Sequence, residues 1–156
     1  MELKDLKKAY RESAKKYKLP EFKEINECFE IDRIDRDTDV ILRDVRKVMM
    51  DKIVGYKRFL EMMIAPASAS PTFLMFIKEV TKEDQSQIES VFKKLTELEL
   101  DSLDLEIDFS EKAEAEMIKK IYEAWSDLKL GLKKISVMMR RNWMSASKKN
   151  DRAYFG

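Results

Sequence analysis

Of 156 residues none is histidine, one is cysteine, and glycine and proline contribute three each. Each scarcity closes off chemistry. Without histidine there is no Ser-His-Asp triad, no facial-triad iron site and no Glu-x-x-His di-iron site. A single cysteine, Cys28, permits neither an intramolecular disulfide nor a cysteine-rich zinc site. Three glycines cannot build a glycine-rich phosphate loop. Long apolar runs are also missing: the longest, Phe73–Ile77, is far short of the ~20 residues a membrane-spanning helix needs. The start, Met1-Glu2-Leu3-Lys4-Asp5-Leu6, alternates charge and lacks the apolar stretch of a secretory signal. These features predict a cytoplasmic protein without a membrane partner.

What is abundant is charge. Asp, Glu, Lys and Arg make up 39% of the chain against an average near ~25%, while the apolar fraction of 44% is that of a globular protein. The net charge of +1 conceals a segregation. Residues 1–18 carry seven bases and three acids, residues 83–116 twelve acids and three bases, and residues 128–150 seven bases and no acid.

Apolar spacing is helical almost throughout. Leu3, Leu6, Tyr10, Ala14 and Tyr17 form one stripe, and Pro20 fits the first turn of a short second helix burying Phe22, Ile25 and Phe29. Residues 30–37 lack a period and read as a connector. Asp37 or Thr38 is placed to cap a long third helix with the stripe Ile41, Val45, Met49, Ile53, Tyr56, Leu60 and Met63, stopped by Pro66. A loop over 65–71 leads to a short apolar turn at 73–77. Thr81 then caps a fourth long segment with Ile88, Val91, Leu95, Leu98, Ser102 and Leu105 on its stripe. Leu103, Leu105, Ile107 and Phe109 alternate with acids as a half-buried strand would, but no other segment alternates to pair with them. The expectation is a helix end followed by an extended connector, with an intermolecular strand pair as the lesser reading. Ser110 caps the longest helix, to about Met144, with Met117, Ile121, Trp125, Leu128, Leu132, Ile135 and Met139 in near-heptad steps. The fold class expected is all-α, an antiparallel bundle of about four long helices and two short ones, with one domain over 1–145 and a polar tail over 146–156.

No residue is marked as catalytic, and no cofactor-binding or metal-ligating set is expected. The acids of 83–116 are spread around a helix surface and read as a solvated face, since a calcium loop with its turn glycine is absent. Cys28 reads as a small buried hydrophobe with no histidine to activate it. Gly55 and Gly131 fall inside helices, where close helix–helix approach would explain either. Lys133, Lys134, Arg140, Arg141 and Trp143 form a candidate patch for nucleic acid or a protein partner, pairing cations with a stacking ring. Met62, Met63, Phe73 and Phe76 form a candidate apolar interface. Tyr154-Phe155 either docks elsewhere or folds back onto the bundle.

The stretches Leu19-Pro20-x-Phe22 with Phe29-Glu30-Ile31, Leu42-Arg43-Asp44-Val45-Arg46-Lys47, Glu123-Ala124-Trp125 and Tyr154-Phe155-Gly156 resemble a group of small all-helical archaeal proteins without an assigned activity. The resemblance implies an archaeal, cytoplasmic source and contributes no catalytic residue. Basic ends and an acidic middle point to a non-enzymatic interaction or structural module that self-associates, as a homodimer or with a protein partner. The alternative is a nucleic-acid-associated accessory protein acting through the basic C-terminal helix. An enzyme limited to carboxylates, Lys, Tyr or a divalent metal is the third reading.

Overall fold

The computed structural model describes residues 2–34 and 38–154, and among these every regular element is helical. Six α-helices occur in the order α1 (Leu3–Tyr17), α2 (Phe22–Phe29), α3 (Ile41–Ile64), α4 (Pro71–Ile77), α5 (Lys82–Ile107) and α6 (Glu111–Tyr154), with short 3-10 turns at Ile31–Arg33 and Pro66–Ser68. The fold is the all-α helical bundle expected, with four long helices and two short ones among the described residues. No helix among the described residues is long and apolar enough to cross a membrane.

Local chemistry sets the helix boundaries. α2 opens at Phe22, two residues after Pro20: Glu21 is the cap, its amide donating to the Glu24 carboxylate at 2.8 Å in a reciprocal capping box. Pro20 stays outside the helix, where its carbonyl accepts a 2.8 Å hydrogen bond from the Tyr10 hydroxyl. The Thr38 hydroxyl accepts from the Val40 amide just ahead of α3, and Asp37, the other expected cap, lies outside the described residues. Ser70 caps α4, with Pro71 in its first turn. Thr81 and Asp84 cap α5 reciprocally, amide to carboxylate at 3.0 Å and amide to hydroxyl at 3.1 Å.

Residues 103–107 are the end of α5 and 108–110 connect it to α6, the helix end and short connector expected rather than the lesser strand reading. The alternation there arises because α5 is apolar on two sides: Leu105 turns inward, while Leu103 and Ile107 face solvent. One boundary differs from the sequence expectation: α6 runs on past the end expected near Met144, through the polar residues that follow, to Tyr154; Phe155 lies outside the described residues.

The chain groups into two compact units: Met1–Tyr56 with Thr96–Trp125, and Lys57–Leu95 with Ser126–Gly156. In the first, Tyr10 meets Phe22 edge-on at 5.7 Å and Trp125 leans on Phe29 and Tyr56. Lys52 donates to the Cys28 carbonyl at 2.6 Å with its ammonium 5.2 Å from the Trp125 ring centre. Burial raises the Tyr10 hydroxyl pKa above its ordinary value, with Glu21 and Glu24 adding to the effect. In the second unit, Phe59, Phe73, Phe76 and Trp143 form a chain of ring contacts at 5.5–5.9 Å. The buried Asn142 amide donates to the Phe76 carbonyl at 2.7 Å, satisfying a carbonyl at the end of α4.

The two helical glycines have different causes. A Cβ on Gly131 would lie 2.6 Å from Val91 Cγ2, so α6 approaches α5 closely enough there that any side chain would press on Val91. Gly55 has nothing within 4 Å of that position, so close approach does not account for it. We therefore expect opposite signs in urea unfolding. Gly55→Ala stabilises by about 0.5–1 kcal/mol through helix propensity. Gly131→Ala destabilises, because Val91 is β-branched and stiff and the clash exceeds the propensity gain.

Candidate interaction surfaces

Charge inside the first unit has to be accounted for before charge on its surface. Arg46 is 1% exposed, an unusual place for a guanidinium. It occupies the inward face of α3 between Leu42 and Met49. Its Nε donates to Glu114 Oε2 at 2.5 Å, one terminal nitrogen to Ser102 Oγ at 2.6 Å, and the other to Glu106 Oε1 at 2.5 Å and Glu114 Oε1 at 3.3 Å. Glu114 is fully buried, so the acidic region is not the uniformly solvated face that composition suggests. Arg43 and Lys47 approach the same carboxylates from 3.6–3.9 Å, and the Arg43 guanidinium lies over the Phe109 ring. The hydrogen bond from Arg46 holds Glu106 below the usual carboxylate range against the opposing effect of burial. Burial works against the Arg46 charge, yet the bonds to Glu114 and Glu106 outweigh it and raise its pKa.

This cluster consumes its own charges. Every Arg46 nitrogen has a partner, two of the partners, Ser102 and Glu114, are buried with it and Glu106 closes the cluster at the surface, so it reads as a structural lock. Among the described residues no group of three or more carboxylate or thiol side chains is placed to hold a metal ion.

The remaining functional prospects lie on the outer helix faces. Lys133, Lys134, Arg140 and Arg141 are all exposed on α6, as is part of Trp143. They do not form one free patch. Arg141 pairs with Asp84 at 2.8 Å, and the Trp143 ring leans on Phe76 at 5.8 Å. Lys149 is likewise matched by Glu79 at 2.5 Å. The carboxyl pKa of Asp84 lies below its ordinary value: burial opposes this, but Thr81 and Arg141 outweigh it. Lys133, Lys134 and Arg140 make no ion pair with a described residue. Of the four apolar candidates, Met63 and Phe73 lie in the core of the second unit and Phe76 is half-buried among aromatic rings, leaving Met62 exposed.

Composition alone did not distinguish two apolar stripes on solvent faces. On α5 they are Leu100, Leu103 and Ile107; on α6, Leu130, Val137 and Met144. All six side chains are between 54% and 78% exposed. The acids Glu97, Asp104 and Asp108 flank the first stripe, and Lys133, Lys134 and Arg140 flank the second. A third charged face, Lys4, Lys8, Arg11 and Lys15 along α1, is exposed but has no apolar residue among its bases. The signal was in the sequence, as seven-residue spacing on the side of each helix opposite its core stripe.

Comparison of the chain with family models, with curated proteins and with solved structures finds no match in any of the three.

Two outcomes follow for the Arg46 cluster. Arg46→Met should destabilise the protein by about 3–5 kcal/mol in chemical unfolding, because it strands the buried Glu114 carboxylate. Glu106 titrates lower when folded than when unfolded. Its contribution is therefore complete above its ordinary value of 4.5 and fades as pH falls below that value through the folded one. Glu106→Gln should flatten the stability–pH curve in that acid window and leave its shape unchanged above it.

Proposed function

We propose that the protein is a non-enzymatic, cytoplasmic helical interaction module that assembles with itself. The single observation that supports this reading is the pair of exposed apolar stripes on α5 and α6, since apolar side chains grouped on a solvent face are characteristic of contact surfaces. Chemistry is a weaker reading, because the densest group of ionisable side chains is spent on holding Arg46. The likeness to small archaeal helical proteins is compatible with this role and supplies no residue to it.

A second reading retains nucleic-acid binding, because Lys133, Lys134 and Arg140 are exposed and carry no ion pair with a described residue. The pairing of Arg141 and the packing of Trp143 weigh against it.

Light-scattering mass across a concentration series at low ionic strength tests the first reading. The expected result is a mass above that of one chain, rising with concentration and falling as salt is added. A single-chain mass at every concentration would sink it. Fluorescence anisotropy with labelled nucleic acid tests the second. Binding that steepens at low salt and is lost on charge reversal at Lys133, Lys134 and Arg140 supports nucleic acid, and its absence at low salt removes that reading.

A further inference from the structure

We propose that the acidic outer face of α5 docks on the basic outer face of α6 of a second copy of this chain, Leu100, Leu103 and Ile107 packing against Leu130, Val137 and Met144. This rests on the self-associating reading and assigns it two surfaces.

Three observations support it. The first is spacing. Leu100 and Ile107 are seven residues apart, as are Leu130, Val137 and Met144 in succession. On a helix that repeat, a rise of about 10.5 Å, keeps side chains on one narrow seam, the arrangement by which two helices interlock side chains at a shallow crossing angle. The second is that the flanking charges follow the same repeat: Glu97 with Asp104 beside one stripe, Lys133 with Arg140 beside the other. Charges in those positions choose partner and register in paired helices.

The third is elimination by sign. An α5 face against another α5 face sets acids on acids, and α6 against α6 sets bases on bases. Only the mixed pairing brings opposite charge together around the apolar contacts. The acids and bases concerned make no ion pair with a described residue of their own chain, so docking does not require breaking one.

The test uses three full-length variants: Glu97→Lys with Asp104→Lys and Asp108→Lys; Lys133→Glu with Lys134→Glu and Arg140→Glu; and all six changes together. All six positions are exposed, so circular dichroism should report unchanged helix content. Sedimentation equilibrium at low salt should show each triple variant self-associating at least about tenfold more weakly than the unaltered chain. An equimolar mixture of the two triple variants, and the six-change chain alone, should regain association to within about threefold, because each restores opposite charge across the contact. If the unaltered chain associates and the triple variants associate equally well, or their mixture shows no recovery, the proposed faces are wrong while self-association stands. An unaltered chain that stays monomeric overturns both.

Discussion

Arg46 is the constraint on which the first unit depends. A guanidinium withdrawn from water costs several kcal/mol unless its donors are met, and here they are met by Ser102 and Glu106 of α5 and Glu114 of α6. Three helices thereby acquire a common register. Displacing any one of them by a turn, about 5.4 Å, would leave a buried charge without its counterpart. Apolar packing alone is more tolerant, because leucines and methionines can repack against shifted neighbours at modest cost. The aromatic and aliphatic core of this unit supplies most of its burial, and the ionic cluster selects which packing is adopted.

The same helices are two-sided. α5 buries Leu98, Ser102 and Leu105 while presenting Leu100, Leu103 and Ile107 to solvent, and α6 likewise separates Leu128, Ile135 and Met138 from Leu130, Val137 and Met144. A helix that is only a bundle component has little reason to keep a second apolar seam, since such side chains favour aggregation when left uncovered. Flanking charges of one sign limit that hazard: like faces repel. The segregation of acids and bases along the chain thus has a structural counterpart in oppositely charged rims around two similar seams.

Much of the architecture was legible from spacing, because a 3.6-residue apolar period and capping residues such as Thr81 and Ser110 are local signals. Residues 103–109 were ambiguous for a local reason as well: apolar side chains on both faces of a helix, separated by acids, mimic the alternation of a strand. The helical end of α6 was missed because a polar stretch without a stripe gives no period to count. The Arg46 cluster was hidden differently. Its partners lie 56 to 68 residues away, and nothing local announces them. A trace existed nonetheless, since Arg46 falls between Leu42 and Met49 on a core stripe and Glu114 precedes Ile118 and Ile121 on another. A charged residue on an apolar stripe indicates a distant counterpart. Which one it is becomes visible only when the helices are brought together.

Gly131 extends this to recognition of kin. With Val91 Cγ2 at 2.6 Å from where a Cβ would lie, any other side chain forces Val91 or α6 itself to shift. Exposed charges outside the two seams can change at little cost, and core leucines and isoleucines can exchange at modest cost. This glycine and the linked set of Arg46, Ser102, Glu106 and Glu114 are more constrained, because a single change there leaves a clash or an unpaired buried charge. A descendant of the same ancestor is therefore best sought by one obligatory gap and one buried ionic lock at matching helical positions, rather than by similarity averaged over its length.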